Sequence, residues 1–159
     1  MNKLDCIFSA KYVLGRISSK DIVQYADRKL TEGNYSDAYL NIIDADIKAM
    51  AVLAPLVEVA LKDSGVPVPE FEEAVWIMLR HHIGLIANGE VNPKKQFSML
   101  LNDIERFDLH KGIREYVGDN VGISLLYGLY YEDYATDVEI NSELIKESKN
   151  WVNLYGRKH

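Results

Sequence analysis

The stretch from about Pro69 to Ala87 constrains the fold more than any other part of this chain. At helical spacing, Phe71, Ala74, Val75, Met78, His82 and Leu85 form one stripe, and Trp76, Leu79, Ile83 and Ile86 form a second. A helix that is apolar over most of its circumference has to be covered on most sides, so it belongs inside a bundle. Glu70, Glu72 and Glu73 open it and Arg80 and His81 come later, which complements the helix dipole. Asn88-Gly89 ends it.

Other segments repeat the helical pattern. Leu4, Ile7, Phe8, Tyr12 and Val13 predict a first helix that closes near Gly15. Ser18 or Ser19 caps a second over Lys20 to Glu32, with Asp21 three residues after Ser18 as in a capping box. Gly33-Asn34 stops it by supplying left-handed backbone. A short helix follows from Ser36 to Ile43, then a longer one from about Asp46 to Lys62, which Pro55 should kink or split. Asn92-Pro93 starts a helix that turns Phe97, Leu100, Leu101 and Ile104 inward. Further helices are expected over Gly112 to Val117 and Val121 to Tyr134, and a last one, capped by Asn141 or Ser142, through Tyr155. Asp137 to Ile140 reads as a short extended piece. The expectation is an all-α, single-domain bundle of six to eight helices over residues 1–156, with a disordered tail at 157–159.

Composition agrees with this. The chain has 159 residues, 48% of them hydrophobic, and a chain of that size suits one domain of roughly 100–200 residues. Cys6 is the only cysteine, which excludes an internal disulfide framework and a multi-cysteine zinc site. The longest uncharged stretch, Asn120 to Tyr131, is far shorter than the roughly 20 residues a membrane span needs. No signal-peptide pattern opens the chain. A cytoplasmic, reduced environment is expected, without a membrane partner. Formal net charge is −6, so the counterion-release term that drives nucleic-acid binding has the wrong sign, and no nucleic-acid partner is expected.

Catalytic and metal patterns are weak. His81 and His82 have no ligand-type residue three or four positions away, and neither has His110. Cys6 lacks the electropositive neighbours that make a thiolate and is expected to be a buried structural thiol. Gly122-Ile123-Ser124 lacks the second glycine of a nucleophile elbow. No phosphate loop or complete calcium loop is present. No cofactor or metal is expected, and no catalytic residue is assigned. An enzyme using His81 or His82 with carboxylates from other helices stands as the third functional reading.

One feature does stand out. Between Arg114 and Lys146 there is no basic residue, while Glu115, Asp119, Glu132, Asp133, Asp137, Glu139 and Glu143 are all acidic. The same stretch holds Tyr116, Tyr127, Tyr130, Tyr131 and Tyr134, half of the chain's ten tyrosines. This describes either a solvated acidic face over a tyrosine-lined core or a docking surface for a basic protein. Acids steer a cationic partner, and tyrosines supply contact area at low entropic cost. The residues expected to bind are Tyr130, Tyr131, Glu132, Asp133, Tyr134, Asp137 and Glu139. With Tyr127 and Tyr131 packed inward, Tyr130 is expected to face water.

Leu126-Tyr127-Gly128-Leu129-Tyr130-Tyr131-Glu132-Asp133, Glu143-Leu144-Ile145-Lys146-Glu147-Ser148 and the opening Gly15 to Ala26 resemble small all-helical bacterial immunity proteins of polymorphic or contact-dependent toxin systems. The resemblance implies a cytoplasmic, non-enzymatic protein that blocks a toxin domain, and it carries no residue-level binding motif. The leading expectation is therefore an immunity-type module that neutralises a cationic toxin domain. A helical adaptor or homodimer is the alternative.

Overall fold

A computed structural model describes residues 2–112 and 116–157. The chain is all-α, with eight α-helices and one 3-10 turn among the described residues. Its contacts gather into two compact units, Met1–Ala74 and Val75–His159. No helix of the described residues is long and apolar enough to cross a membrane.

The first unit contains α1 (Lys3–Val13), α2 (Ser19–Thr31), α3 (Asp37–Asp44) and α4 (Met50–Asp63). Ser18 caps α2 as its spacing predicts. Its hydroxyl accepts from the Asp21 backbone N–H while the Asp21 carboxylate accepts from the Ser18 N–H at 2.8 Å. The hydrogen bonds from the Ser18 hydroxyl and backbone hold the Asp21 carboxyl below the ordinary aspartate range. Helix α4 starts at Met50 rather than near Asp46 because Lys48 is used elsewhere. Its ammonium turns back onto the carbonyls of Ile42, Ile43 and Ala45, and so ends α3 with a cation at its negative pole. Pro55 lies within α4 without splitting it.

Packing in this unit is built on α2, α3 and α4, where Ile22, Tyr25, Tyr39, Ile42, Leu53 and Leu61 are buried together. Phe8 of α1 stacks on Tyr25, with ring centroids 3.6 Å apart. Beneath this stack lies a buried ion pair. Lys29 Nζ donates to both oxygens of Asp5 at 3.1 Å, and the Tyr25 hydroxyl donates to Asp5 Oδ1 at 2.9 Å. Burial, then Tyr39 and the Asp5 carboxylate, hold the Tyr25 hydroxyl protonated well beyond the ordinary phenol range. Tyr12 donates to Glu58 at 2.7 Å and ties α1 to α4. Partial burial, assisted by Glu58, pushes the Tyr12 hydroxyl up to about 12.

Helix α5 (Phe71–Ala87) crosses from the first unit into the second, which also holds α6 (Pro93–Asp103), α7 (Ser124–Tyr130) and α8 (Asp137–Tyr155). No residue of α5 from Ala74 to Ala87 is exposed, in keeping with its two apolar stripes. Asn92 caps α6, with Pro93 at its first position.

Three boundaries differ from expectation. The helix expected over Gly112 to Val117 falls mainly on residues 113–115, outside the described residues, and the flanking Gly112, Tyr116 and Val117 are not helical. The single helix expected over Val121 to Tyr134 is a 3-10 turn at Asp119–Val121 followed by the seven-residue α7. Gly118 and Gly122 take left-handed backbone on either side of that turn and interrupt the helix. Helix α8 begins at Asp137, not after Asn141. Thr136 and Glu139 form a complete capping box there, so Asp137 to Ile140 is helical rather than extended. Of the tail, Arg157 lies in a turn after α8, and residues 158–159 are outside the described residues.

Asp5→Ala strands the Lys29 ammonium in an apolar interior and should cost about 3–5 kcal/mol in urea unfolding. The double change Asp5→Leu with Lys29→Met should cost clearly less than the single one. Asp21 is ionised in its cap, so that contribution is complete above the unfolded carboxyl pKa and fades as pH falls through the lower folded value. The Tm gap between the wild type and Asp21→Asn should therefore be constant near neutrality and close below about pH 4.

Candidate functional site

The acidic, tyrosine-bearing segment occupies α7, the loop after it and the first turn of α8. Tyr130 is half-buried, with its ring 5.5 Å from that of Phe97 in α6. Tyr131 is 57% exposed, and Tyr134 is fully exposed on the loop. The expected assignment is thus reversed: Tyr130 packs inward and Tyr131 meets water. Tyr131 is the C-cap of α7, its N–H still bonded to the Tyr127 carbonyl at 3.3 Å, but Tyr127 is itself only half-buried, so the ring that rests on it meets water. Tyr131 still touches Tyr127 and Tyr130, each at a 4.8 Å centroid distance. Partial burial, then Tyr127, raises the Tyr131 hydroxyl above its ordinary value.

Of the four acids in the expected site, three have partners within the fold. Glu132 accepts from the backbone N–H of Tyr134 at 2.9 Å and folds the loop. Glu139 is the return arm of the α8 capping box; hydrogen bonds from the Thr136 backbone N–H and then its hydroxyl lower its carboxyl pKa. Asp137 meets Lys94 of α6 at 3.2 Å. The run that lacks cations in sequence therefore receives Lys94 in space, although an exposed pair of this kind holds its partners weakly, and Arg106 and His110 line a groove together with its Tyr127 and Tyr131. Asp133 is exposed. Tyr131, Glu132, Asp133 and Tyr134 remain as the solvent-facing part of the expected site.

Sequence reasoning missed the apolar half of this surface. Leu125 projects from α7, 67% exposed, and Gly128 on the same helix is exposed as well. On one side of Leu125 lies a groove of about 340 Å³ lined by Tyr116, Ser124, Leu125, Gly128, Leu129 and Glu132. On the other side a groove of about 290 Å³ is bounded by Leu125, Trp151, Leu154 and Tyr155, with Asp119 and Glu147 at its polar edge. Ser124 and Leu125 line both, so the two form one surface with Leu125 as its ridge. Among the described residues, three carboxylates and no Lys, Arg or His line the pair. The readable signal was two apolar stripes, Leu125–Leu129 and Leu126–Tyr130, on a segment punctuated by glycines.

Gly122 sets the geometry of the second groove. Its φ is +72°, and a Cβ there would lie 2.5 Å from the Tyr155 ring. The Trp151 indole donates to the Val121 carbonyl at 3.1 Å, and Trp151 packs against Tyr155 and Trp76. The backbone before α7 is thereby clamped to α8.

A second polar cluster lies inside the same unit. His82 is buried, and its Nε2 donates to Asp103 Oδ2 at 2.8 Å, while the Gln96 amide donates to Nδ1 at 2.6 Å. This tautomer follows from the partners. Within the fold, both ring nitrogens of His82 are thus engaged. His81 is half-buried and in edge contact with it. Among the described residues no group of three or more His, Cys, Asp or Glu could hold a metal ion. Cys6 is half-buried, not fully buried as expected, because it lies beside rather than on the face of α1 that meets Tyr25.

No family model matches the chain, and no curated protein or solved structure matches it either.

Gly122→Ala combines a left-handed backbone position with a collision against Tyr155. It should lower stability by about 1 kcal/mol or more and shift tryptophan emission as Trp151 loses its seat. Unchanged emission and Tm would show that the contact is easily relieved.

Proposed function

We propose that this protein is a non-enzymatic binding module that takes a basic protein partner on the α7 face of its second unit. One observation carries the reading: the exposed Leu125 ridge separates two grooves rimmed by Asp119, Glu132 and Glu147, with no cationic side chain in either lining among the described residues. Burying one leucine contributes about 1.5–3 kcal/mol, and carboxylates around an apolar centre favour a cationic rim on the incoming surface. Tyr131 and Tyr134 add broad, exposed contact area beside the Glu132-Asp133 pair.

The concrete form of this reading is an immunity protein that neutralises a cationic toxin domain. Glu132 and Asp133 would stand where phosphates otherwise enter a basic cleft, and Leu125, Tyr131 and Tyr134 would anchor the contact. Tyr130, Asp137 and Glu139 would act from behind, through the fold. Self-association on this face is disfavoured, because a two-fold contact sets like against like and would bring the acidic rim against its own copy.

The test is co-purification from the native host with tagged wild type, Leu125→Ser, and the pair Glu132→Lys with Asp133→Lys. The expected result is a partner of basic pI, held by wild type and lost at least about tenfold by both variants at low salt, with Tm unchanged. The charge-reversed form should also show a flatter salt dependence. A partner of acidic pI, or one indifferent to both variants, would remove this face from the reading.

A further inference from the structure

We infer that the first unit carries a separate binding site, a groove between α1 and α2 that takes a small apolar carboxylate with its head group on Arg28. The groove is formed by one face of each helix. Leu4, Ile7, Phe8 and Lys11 come from α1, and Asp21, Gln24, Tyr25 and Arg28 from α2, with Ile17 just before it. Its volume of about 310 Å³ is at the small end of ligand sites, enough for an acid with a single ring or a short branched chain. The stacked Phe8–Tyr25 pair gives the floor, and Leu4, Ile7 and Ile17 the walls.

The head group is specified by what Arg28 lacks. Its guanidinium lies over the Tyr25 ring, 5.1 Å from the centroid. Two carboxylates stand near it, but at ion-pair rather than hydrogen-bond range: Asp5 at 3.8 Å and Glu32 at 3.6 Å. Asp5 is already occupied by two bonds from Lys29 and one from Tyr25. Arg28 Nε and Nη2 are shielded from solvent and hydrogen-bonded to nothing among the described residues, although the side chain as a whole is 34% exposed. A guanidinium is a planar fork of five donors matched to a carboxylate, and shielded donors without acceptors call for one. An incoming carboxylate supplies that acceptor after a rotation of the Arg28 terminal group toward the groove. At the other end, Lys11 and Asp21 offset each other in charge, and the Asp21 carboxylate is turned into the Ser18 cap. The pairing of Phe8 with Tyr25 and of Asp5 with Lys29 sets the direction. The acid head lies toward Arg28 and its apolar body runs over Ile7 and Phe8 toward Ile17.

This site shares no residue with the α7 face, so either can fail alone. The test is an NMR titration of the full chain with 4-phenylbutyrate, and in parallel with 4-phenylbutanamide, which has the same body without the charge. The expected result is saturable shifts confined to Leu4, Ile7, Phe8, Gln24 and Arg28, with a Kd of about 1 mM or below. The amide should bind at least about tenfold more weakly. Arg28→Gln should weaken the acid by a similar factor, with Arg28→Lys intermediate because it keeps the charge but loses the fork. Ile7→Trp, which fills the groove and leaves Arg28 in place, should abolish binding and covers the case in which the Arg28 variants unfold. Absence of shifts at about 5 mM acid, equal binding of acid and amide, or full binding to Ile7→Trp would overturn the assignment.

Discussion

A seven-residue helix cannot hide two apolar stripes. Helix α7 makes fewer than two turns, and its inward stripe, Leu126 with Tyr130, is spent on packing. The other stripe, Leu125 with Leu129, is left at the surface around Leu125. The shortness comes from glycines at both ends of the preceding turn. Gly118 and Gly122 hold left-handed backbone, so the helix cannot extend toward its N-terminus. Gly122 also admits the Tyr155 ring where any side chain would collide. Shape and exposure of the candidate surface therefore follow from backbone constraints at two residues more than from the acids that first draw attention to the region.

Those acids illustrate how charge in sequence differs from charge in space. Counted along the chain, Asp137 and Glu139 belong to an uninterrupted negative run. In the fold one faces Lys94, and the other closes the cap of α8. A carboxylate committed to a backbone N–H gives up hydrogen-bonding capacity and part of its outward field, whereas Asp119 and Glu147, outside the expected binding residues, sit at the groove's rim. Electrostatic character belongs to a lining, not to a window of residues.

Legibility followed the range of the interaction. Signals completed within four residues could be read: the Ser18–Asp21 capping box, the Asn92-Pro93 start, and the stops at Gly15, Gly33 and Gly89. The Thr136–Glu139 box is of the same kind and equally readable, but Asn141 and Ser142 competed for the same role and displaced it. Signals that need a partner from another element could not be read. Nothing near Lys48 announces that its ammonium will end α3 and delay α4, and nothing near Asp5 announces Lys29. The choice between Tyr130 and Tyr131 depended on Phe97, a partner from α6 that packs against the first.

Each unit keeps a cluster of ionisable side chains in its interior, and the two differ in what they leave over. Around His82 the accounting closes: the ring has two nitrogens, and Asp103 and Gln96 take both. Around Asp5 it does not. One carboxylate faces Lys29, Tyr25 and Arg28, and the first two use its lone pairs while Arg28 is held at a distance. A closed set fixes the register of α5 against α6 and has nothing to offer a ligand. A set with surplus donors at the edge of an apolar groove retains an unmet hydrogen-bonding demand, and such a demand is met by water, by rearrangement or by a ligand. Because Arg28 Nε and Nη2 are shielded from water and stand beyond hydrogen-bond range of Asp5 and Glu32, a carboxylate on the groove side meets that demand.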